Sequence, residues 1–166
     1  MSTDPVLALD GVAFGWTAQQ TLIDIADFSI QRGESVFLRG PSGSGKSTLL
    51  GLIGGVLVPQ RGRIAVDDID LVTQSPSGRD RVRADRMGVI FQQFNLLPYL
   101  SVLNNVTLPC LFSARRRARS LETHAAPVDE ARALILRLGL PESVCSEPVG
   151  KLSVGQQQRV AAARAL

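Results

Sequence analysis

The residues with the clearest chemical potential form a glycine- and serine-rich stretch that ends in a lysine and two hydroxyl residues. In order they are Gly40, Pro41, Ser42, Gly43, Ser44, Gly45, Lys46, Ser47 and Thr48, which fits the phosphate-loop pattern G-x-x-x-x-G-K-[ST]. Glycines let consecutive N–H groups point into one small volume, and a following helix adds the positive end of its dipole. Lys46 would supply a point charge for the β- and γ-phosphates, and the Ser47 hydroxyl could ligate Mg²⁺. The alternative is an ordinary flexible turn that happens to precede a lysine.

The flanking segments favour the phosphate-binding interpretation. The apolar residues 35–38 predict a strand that leads into the loop, and residues 46–53 predict a helix that leads out of it. A third segment, residues 87–91, is an apolar run of the length expected of a strand buried in a parallel sheet. This order of strand, loop and helix predicts a nucleotide-binding protein.

The remaining elements are predicted from periodicity, turn residues and caps. Short apolar strands are expected at residues 6–9, 12–14, 28–30 and 63–66, with a break at Asp10-Gly11 and a loop at residues 75–78. Ser101 is expected to cap a helix, and residues 128–138 have the apolar spacing of an amphipathic helix that Gly139 ends.

Composition limits the classes of protein that remain. A chain of 166 residues predicts one domain or one domain with a lobe, and a net charge of +3 is too small to indicate nucleic acid as a partner. The basic residues 115–119 are expected to form a solvated helix face. Cys110 and Cys145 are expected to be small buried residues of a protein from a reducing compartment, and not a metal site or a disulfide. The sequence shows neither a signal peptide nor an apolar run of membrane-spanning length, which predicts a cytoplasmic protein.

Two further segments sharpen the prediction. Gln92 follows the predicted strand 87–91, and ligands of open α/β sheets bind at the carboxyl ends of strands. Residues 152–160 read Leu-Ser-Val-Gly-Gln-Gln-Gln-Arg-Val and precede an alanine-rich stretch. Ser153 and Gln156 have the spacing of a capping box, and a helix N-terminus of this kind is also an anion site. The cap and the phosphate contact are compatible.

Together the three segments resemble the ATPase subunit of ATP-binding cassette (ABC) transporters along nearly all of the chain. The resemblance implies an α/β P-loop NTPase fold with an N-terminal antiparallel β-subdomain, a parallel core of the RecA type and a helical subdomain. It places the β-subdomain and phosphate-loop core in residues 1–92, the helical subdomain in residues 93–150, and the signature motif with the start of its helix in residues 151–166. The sequence of residues 89–98 is similar to that of the branch of the family that exports macrolides or releases lipoproteins.

The resemblance also implies roles for individual residues, with ATP and Mg²⁺ as the cofactors. Residues 40–48 would be the Walker A loop, in which Lys46 is catalytic and Ser47 binds the metal ion. Gln92 would be the Q-loop glutamine, a catalytic residue and metal ligand. Ser153, Gly155 and Gln156 would be signature residues that contact nucleotide. Trp16 would stack on adenine; the alternative is an ordinary half-buried core tryptophan.

The partners follow from the same resemblance. Two cassettes would sandwich two ATP molecules, so that Lys46, Ser47 and Gln92 of one subunit face the signature residues of the other. Separate membrane permeases would dock in a groove near residues 94–99, although ordinary packing of the helical lobe is an equal alternative for that segment. This arrangement implies a protein peripheral to the cytoplasmic face of the inner membrane, without a nucleic-acid partner.

Two departures from the family pattern carry expectations. Val154 stands where the family usually has glycine, and a branched side chain there is expected to store backbone strain and crowd a phosphate. The second departure is that the chain stops before the carboxylates of Walker B, the catalytic glutamate and the switch histidine. Asp67, Asp68 and Asp70 are poor substitutes, because the family has a surface turn at that position.

The truncation leaves three hypotheses open. The chain is an ABC transporter ATPase, or a truncated fragment that binds ATP without hydrolysing it, or a soluble ABC-type ATPase acting on DNA or ribosomes. The third is disfavoured because the chain has neither large insertions nor tandem cassettes. For the fragment, an exposed apolar sheet edge and poor solubility are expected.

Overall fold

The computed structural model describes residues 5–17 and 19–166, which fall into two compact units. The first unit ends at Arg86 and the second spans Met87–Leu166. Each has its own group of buried apolar side chains.

The first unit is built on a four-stranded antiparallel sheet of order β2-β1-β3-β4. Its strands are β1 (Leu7–Phe14), β2 (Ile23–Ile30), β3 (Arg61–Val66) and β4 (Ile69–Asp70). Leu9 pairs with Phe28 on one side and Ile64 on the other, and both Leu9 and Ile64 are fully buried. The predicted break at Asp10-Gly11 is wrong: β1 continues through it, with an irregular register against β3 and Gly11 at φ +58°. The antiparallel β-subdomain is therefore confirmed.

Two helices complete the first unit. Helix α1 (Lys46–Ile53) follows the phosphate loop as predicted, and its Leu52 is fully buried. Helix α2 (Pro76–Arg86) stands where a loop was expected at residues 75–78. Ser75 Oγ accepts a hydrogen bond from Gly78 N at 3.1 Å, and Pro76 is the first helical residue. The prediction failed because serine followed by proline suits a helix start as well as a turn.

The second unit is helical. Its helices are α3 (Val102–Thr107), α4 (Pro109–Phe112), α5 (Ala114–Leu121), α6 (Pro127–Arg137) and α7 (Val154–Ala165). Ser101 caps α3 as predicted by accepting from Asn104 N at 3.2 Å, and Gly139 (φ +73°) lies just beyond α6. Val102, Ile135 and Val160 are fully buried at the centre of the unit.

The two strands expected beside the site are not formed. Residues 35–38 and 87–91 have no strand assignment, and Phe37 is 88% exposed while Ile90 is 52% exposed. A strand requires hydrogen bonds to a neighbour, and within residues 5–17 and 19–166 the only sheet is the antiparallel one. Both segments therefore present apolar side chains to solvent.

Two smaller expectations have mixed outcomes. Cys145 is buried but Cys110 only partly so, and both thiols are free. The basic residues 115–119 lie on α5, where most are exposed, but Arg116 turns inward and donates to Met87 O at 2.6 Å.

None of the helices in the described part of the chain has the length and apolar character needed to span a membrane.

Candidate functional site

The phosphate loop has a backbone that residues other than glycine rarely adopt. Gly43 and Gly45 have φ values of +81° and +88°, in the left-handed region that favours glycine. A Cβ at Gly40 would lie 2.6 Å from Ser44 Oγ, and one at Gly45 would lie 2.9 Å from Ile23 Cδ1. The loop therefore follows a tight path because its glycines lack side chains.

Lys46 folds back over this loop. Its Nζ donates to Gly40 O and Pro41 O, each at 2.7 Å, and to Ser44 Oγ at 3.4 Å. The ammonium thus sits over the loop that the sequence assigns to phosphate and is held there by main-chain carbonyl oxygens. Phosphate oxygens are stronger acceptors for a cation than neutral carbonyls, so these contacts are exchangeable.

The start of α1 completes the anion-binding geometry. Gly45 is the N-cap residue and provides no side-chain cap, so no side chain competes for the first-turn N–H groups. Ser47 is exposed in that first turn, whereas Thr48 is buried. The positive end of the helix dipole, Lys46 and the Ser47 hydroxyl therefore lie together, an arrangement that suits an anion with its counter-cation.

Trp16 lines the same cleft as the loop. The cleft has a volume of about 410 Å³ and its walls are Trp16, Leu22, Ser42, Gly43, Gly45, Lys46, Ser47 and Thr48. That volume lies in the range of ligand sites. Trp16 is 68% exposed and makes an edge-to-face contact with Phe14 at 5.2 Å between ring centroids. The alternative of a half-buried core tryptophan is therefore wrong.

The backbone before Trp16 is fixed by a residue that the sequence did not single out. Gln60 accepts from Gly15 N at 3.1 Å through Oε1 and donates to Gly15 O at 3.2 Å through Nε2. A Cβ at Gly15 would lie 2.0 Å from Gln20 O, so this position also requires glycine. The indole is thus supported by a closely packed turn.

Gln92 lies in the second unit, in a turn and not at the end of a strand. Its side chain is exposed, and the turn covers residues 92–95. Of the segment expected to meet a permease, Leu96 packs partly against the helical core while Tyr99 is 74% exposed. The packing interpretation therefore describes Leu96, and docking of a permease on this segment stays a prediction.

The signature segment starts α7 with a reciprocal cap. Ser153 Oγ accepts from Gln156 N at 3.3 Å, and Gln156 Oε1 accepts from Ser153 N at 2.9 Å. The cap uses a lone pair of the serine hydroxyl, so the O–H hydrogen still can be donated to a phosphate. A Cβ at Gly155 would meet no atom within 4 Å, so this glycine borders open space.

The strain expected at Val154 is not found. Val154 is the first residue of α7, is 72% exposed, and does not belong to the residues with positive φ in the described chain. A β-branched residue adopts helical φ and ψ without strain of that kind. Crowding of an incoming phosphate by its side chain remains a prediction.

The aspartates after β3 serve the fold. Asp67 and Asp68, at φ +46° and +66°, form the turn between β3 and β4. Asp67 accepts from Arg32 at 2.6 Å and from Arg86 at 2.8 Å. Burial opposes ionisation of Asp67, but the hydrogen bonds from both arginines outweigh it and hold its pKa below the ordinary value of 3.8. Within the described residues, no group of three histidine, cysteine, aspartate or glutamate side chains is placed to hold a metal ion.

The structure therefore brings the predicted residues together in two sets. Trp16 and residues 40–48 form one cleft in the first unit, and Gln92 and the signature residues belong to the second. Asn105 and Arg164 of the second unit were missed. They bind main-chain groups of residues 94–101, and such partners leave no pattern in a sequence.

Comparisons with a family model and with known proteins agree on one family. A family model described as "ABC transporter" matches residues 23–166. The chain is 40% identical over 148 residues to the lipoprotein-releasing system ATP-binding protein LolD 1 of Chlorobium chlorochromatii, covering 89% of this chain and 57% of that protein. It is 40% identical over 147 residues to the ABC transporter ATP-binding protein MJ0796 of Methanocaldococcus jannaschii, covering 84% of this chain and 58% of that protein. The chain thus spans less than two thirds of the length of these relatives.

Solved structures agree with the sequence comparison. The dimeric structure of the MJ0796 cassette superposes with a TM-score of 0.80 at 35% identity, covering 96% of this chain and 68% of that one. Another structure of that cassette, in a post-hydrolysis state bound to ADP and Pi, gives a TM-score of 0.79. CbiO1 of Clostridium perfringens, part of the ABC transporter complex cbiONQ, gives 0.77 at 26% identity and covers 97% of this chain and 61% of that one.

Proposed function

Since this chain belongs to the ABC transporter family as an ATP-binding domain, we propose that it binds Mg-ATP at residues 40–48 and Trp16 and serves a transporter as its ATP-hydrolysing subunit. The observation that carries this proposal is the first-unit cleft. It combines an exposed indole, an uncapped helix N-terminus and a lysine over a glycine loop.

Each part of the cleft would meet a different part of the nucleotide. The face of Trp16 would stack on adenine, because a flat, polarisable ring suits a base that must be recognised without many hydrogen bonds. The N–H groups of the loop and of α1 would surround the β- and γ-phosphates, and Lys46 would exchange its carbonyl partners for phosphate oxygens. ATP supplies the reactive anhydride, while these residues hold and orient it.

The residues present fit a magnesium ion. Mg²⁺ in nucleotide sites keeps several waters and takes oxygens from the phosphates, with only one or two ligands from the protein, so binding does not require an all-protein cage. Ser47 offers an exposed hydroxyl in the first turn of α1, and Gln92 offers an exposed neutral amide oxygen. We assign both to the metal ion, with Ser47 as the direct ligand that the cleft itself provides.

The second set of residues would serve a partner cassette. Ser153, Gly155 and Gln156 lie at an exposed helix start, where a phosphate from another subunit could accept from the Ser153 hydroxyl and the Gly155 N–H. The MJ0796 cassette has been solved as a dimer. We infer the same pairing here, so that each ATP joins Lys46, Ser47 and Gln92 of one subunit to the signature residues of another.

Gly155→Ala tests this pairing without disturbing the subunit. An added methyl would touch nothing in this chain, so the fold should be unchanged while ATP-dependent pairing weakens at least tenfold. Pairing is measured by sedimentation velocity with and without Mg-ATP. Unchanged pairing would show that no second subunit approaches this glycine.

The membrane partner and the branch of the family rest on the relatives. LolD 1 is named for lipoprotein release, and cbiO1 belongs to a transporter complex. We infer that this protein works at the cytoplasmic face of the inner membrane with separate permeases, in lipoprotein release or export. Tyr99, which is 74% exposed, would be the first residue of the 94–99 segment to contact such a partner.

A second candidate function is ATP binding without hydrolysis by this chain alone. Hydrolysis needs one carboxylate to help hold Mg²⁺ and another to polarise water. Asp67, between β3 and β4, already accepts hydrogen bonds from two arginines. Within the described residues no cluster of metal-binding side chains is present. Measured release of phosphate at a rate typical of cassettes would reject this candidate, whereas binding without turnover would support it.

The experiment that tests the proposed function compares the two lysines of the chain. Calorimetry with Mg-ATP should detect binding that Lys46→Ala abolishes. The matched control is Lys151→Ala, because Lys151 is exposed, belongs to the second unit and forms an ion pair with Glu147. No heat of binding in the parent, or equal binding in both variants, would refute the proposal.

Trp16 fluorescence separates the base from the phosphates. We expect ATP to change the emission of Trp16, and inorganic tripolyphosphate to compete with ATP while leaving that emission nearly unchanged. Trp16→Leu should weaken ATP binding about tenfold, in line with one stacked base, and should leave tripolyphosphate binding unaltered. Equal losses for both ligands would assign Trp16 to the fold and not to adenine.

Replacing Val154 with glycine tests the remaining expectation for the signature motif. In a protein that hydrolyses ATP, Val154→Gly should raise turnover because the side chain no longer crowds the phosphate of the facing site. Since Val154 is exposed at a helix start, the variant should be no more stable than the parent. Unchanged turnover would dismiss the crowding argument.

A further inference from the structure

The turn that carries Gln92 has an unusual backbone. Phe94 and Asn95, which follow Gln92 closely, have φ values of +57° and +48°. Asparagine tolerates the left-handed region, but a bulky residue such as phenylalanine is rare there and needs surrounding structure to hold it. Something must therefore stabilise the main chain directly after Gln92.

Arg164 on α7 supplies that stabilisation. Its Nη1 donates to Asn95 O and its Nη2 donates to Phe94 O, both at 2.6 Å. The planar guanidinium thus spans the two carbonyl groups of the left-handed pair, and a lysine could not reproduce such a fork. Burial lowers the pKa of the Arg164 guanidinium below its usual range, which agrees with a cation withdrawn from water.

The chain before Gln92 meets the same end of α7. Arg116 on α5 donates to Met87 O at 2.6 Å and to Ala165 O at 3.4 Å, and thereby joins the two. Gly88 packs so closely on α7 that an added Cβ would lie 2.1 Å from Ala165 O. Both flanks of the Gln92 turn are therefore attached to the last turn of α7.

Helix α7 begins at the signature segment. Its 12 residues correspond to about 18 Å of helix, from the Ser153 cap to the anchored last turn. Val160 and Ala161 in its middle are fully buried, so we expect the helix to move as one piece. The Gln92 turn and the signature segment are thus attached to opposite ends of one rigid element.

We propose that Arg164 is a positioning residue that sets the conformation of the Gln92 turn and links its movement to that of the signature helix. This inference rests on the proposed function for its consequence: nucleotide contact at either Gln92 or the signature segment would be transmitted to the other through Arg164. The two hydrogen bonds of Arg164 to the turn go to main-chain oxygens, and Arg164 is assigned no contact with nucleotide.

The test is hydrogen–deuterium exchange of the whole chain, comparing Arg164→Lys with the parent. Lysine keeps the positive charge but loses the fork, so amide exchange in residues 92–97 should accelerate about tenfold, the factor expected for losing one hydrogen bond to a charged group. The matched control is Arg159→Lys, at an exposed position of the same helix. Exchange in α3 and α6 should be unchanged in both variants.

Phe94→Gly distinguishes positioning from general support of the helix. Glycine adopts the left-handed conformation at little cost, so in the Phe94→Gly background the effect of Arg164→Lys on residues 92–97 should shrink to less than threefold. The inference is overturned if Arg164→Lys behaves like Arg159→Lys, if exchange rises equally throughout the second unit, or if the effect is the same in both backgrounds.

ATP binding, followed by the emission of Trp16, separates this inference from the proposed function. Arg164→Lys should still bind ATP, because Arg164 is not one of the residues that line the cleft of Trp16 and residues 42–48. Absence of ATP binding in the parent would refute the proposed function, while the exchange result without nucleotide would still decide whether Arg164 positions the turn.

Discussion

Replacing Asn105 with leucine should destabilise the second unit more than any exposed substitution in the same helix. Asn105 is fully buried, and its Oδ1 accepts from Leu97 N at 2.8 Å. Its Nδ2 donates to Leu97 O, Leu100 O and Ser101 O at 3.0, 3.3 and 3.1 Å. One side chain thus organises the segment between the Gln92 turn and α3.

The magnitude follows from what each partner retains. The carbonyl groups of Leu97, Leu100 and Ser101 also accept from backbone N–H groups at 3.1, 3.0 and 2.9 Å, so they keep a donor. The Leu97 N–H loses its acceptor, and an unsatisfied, partly buried donor costs about 1–3 kcal/mol. With the lost amide bonds added, we expect Asn105→Leu to reduce the free energy of unfolding by about 2–3 kcal/mol.

The assay is urea unfolding followed by far-UV circular dichroism, with Asn104→Leu as the control because Asn104 is exposed on the same helix. The control should change the free energy of unfolding by less than about 0.5 kcal/mol. If Asn105→Leu costs no more than Asn104→Leu, the hydrogen bonds of Asn105 do not hold the segment and the reasoning fails.

Three further predictions concern the fold around the two sets of site residues. Gly88→Ala should destabilise the second unit by about 1–3 kcal/mol because its Cβ would collide with Ala165 O, and chemical unfolding should show no such loss for Gly155→Ala. The stability that Asp67 contributes should be complete above its ordinary pKa of 3.8 and should disappear as pH falls through its lower folded-state value. The parent and Asp67→Asn should therefore differ by about 1 kcal/mol at neutral pH and converge in acid, as urea unfolding over a pH series would measure; a constant difference would contradict this. Ser75→Ala should cost about 1 kcal/mol through loss of the α2 cap, and an unchanged thermal midpoint would contradict that assignment.

Local signals in the sequence predicted the parts of the structure that local interactions determine. The glycine pattern of residues 40–48 predicted the loop and α1, and Ser101 and Ser153 predicted the caps of α3 and α7. Each of these features depends on residues within one or two turns of each other. Their chemistry can therefore be recognised without knowledge of the tertiary structure.

Features that depend on distant partners were predicted less well. Residues 35–38 and 87–91 have strand-like composition, but a strand forms only when a neighbour offers its backbone, which no apolar run can guarantee. The serine and proline at positions 75 and 76 suit both a turn and a helix start, and packing of α2 decided between them. Gln60, Asn105 and Arg164 escaped prediction because each binds main-chain groups, which any residue can provide.

The contacts of Lys46 have a thermodynamic consequence for ligand capture. Since its ammonium already closes the loop on the Gly40 and Pro41 carbonyls, an arriving triphosphate would meet a preorganised cradle and would only exchange one set of acceptors for another. The conformational entropy of the loop is then lost when the domain folds, not when the nucleotide arrives. The heat-capacity change of association should accordingly be small and should come mainly from the apolar surface that the base covers.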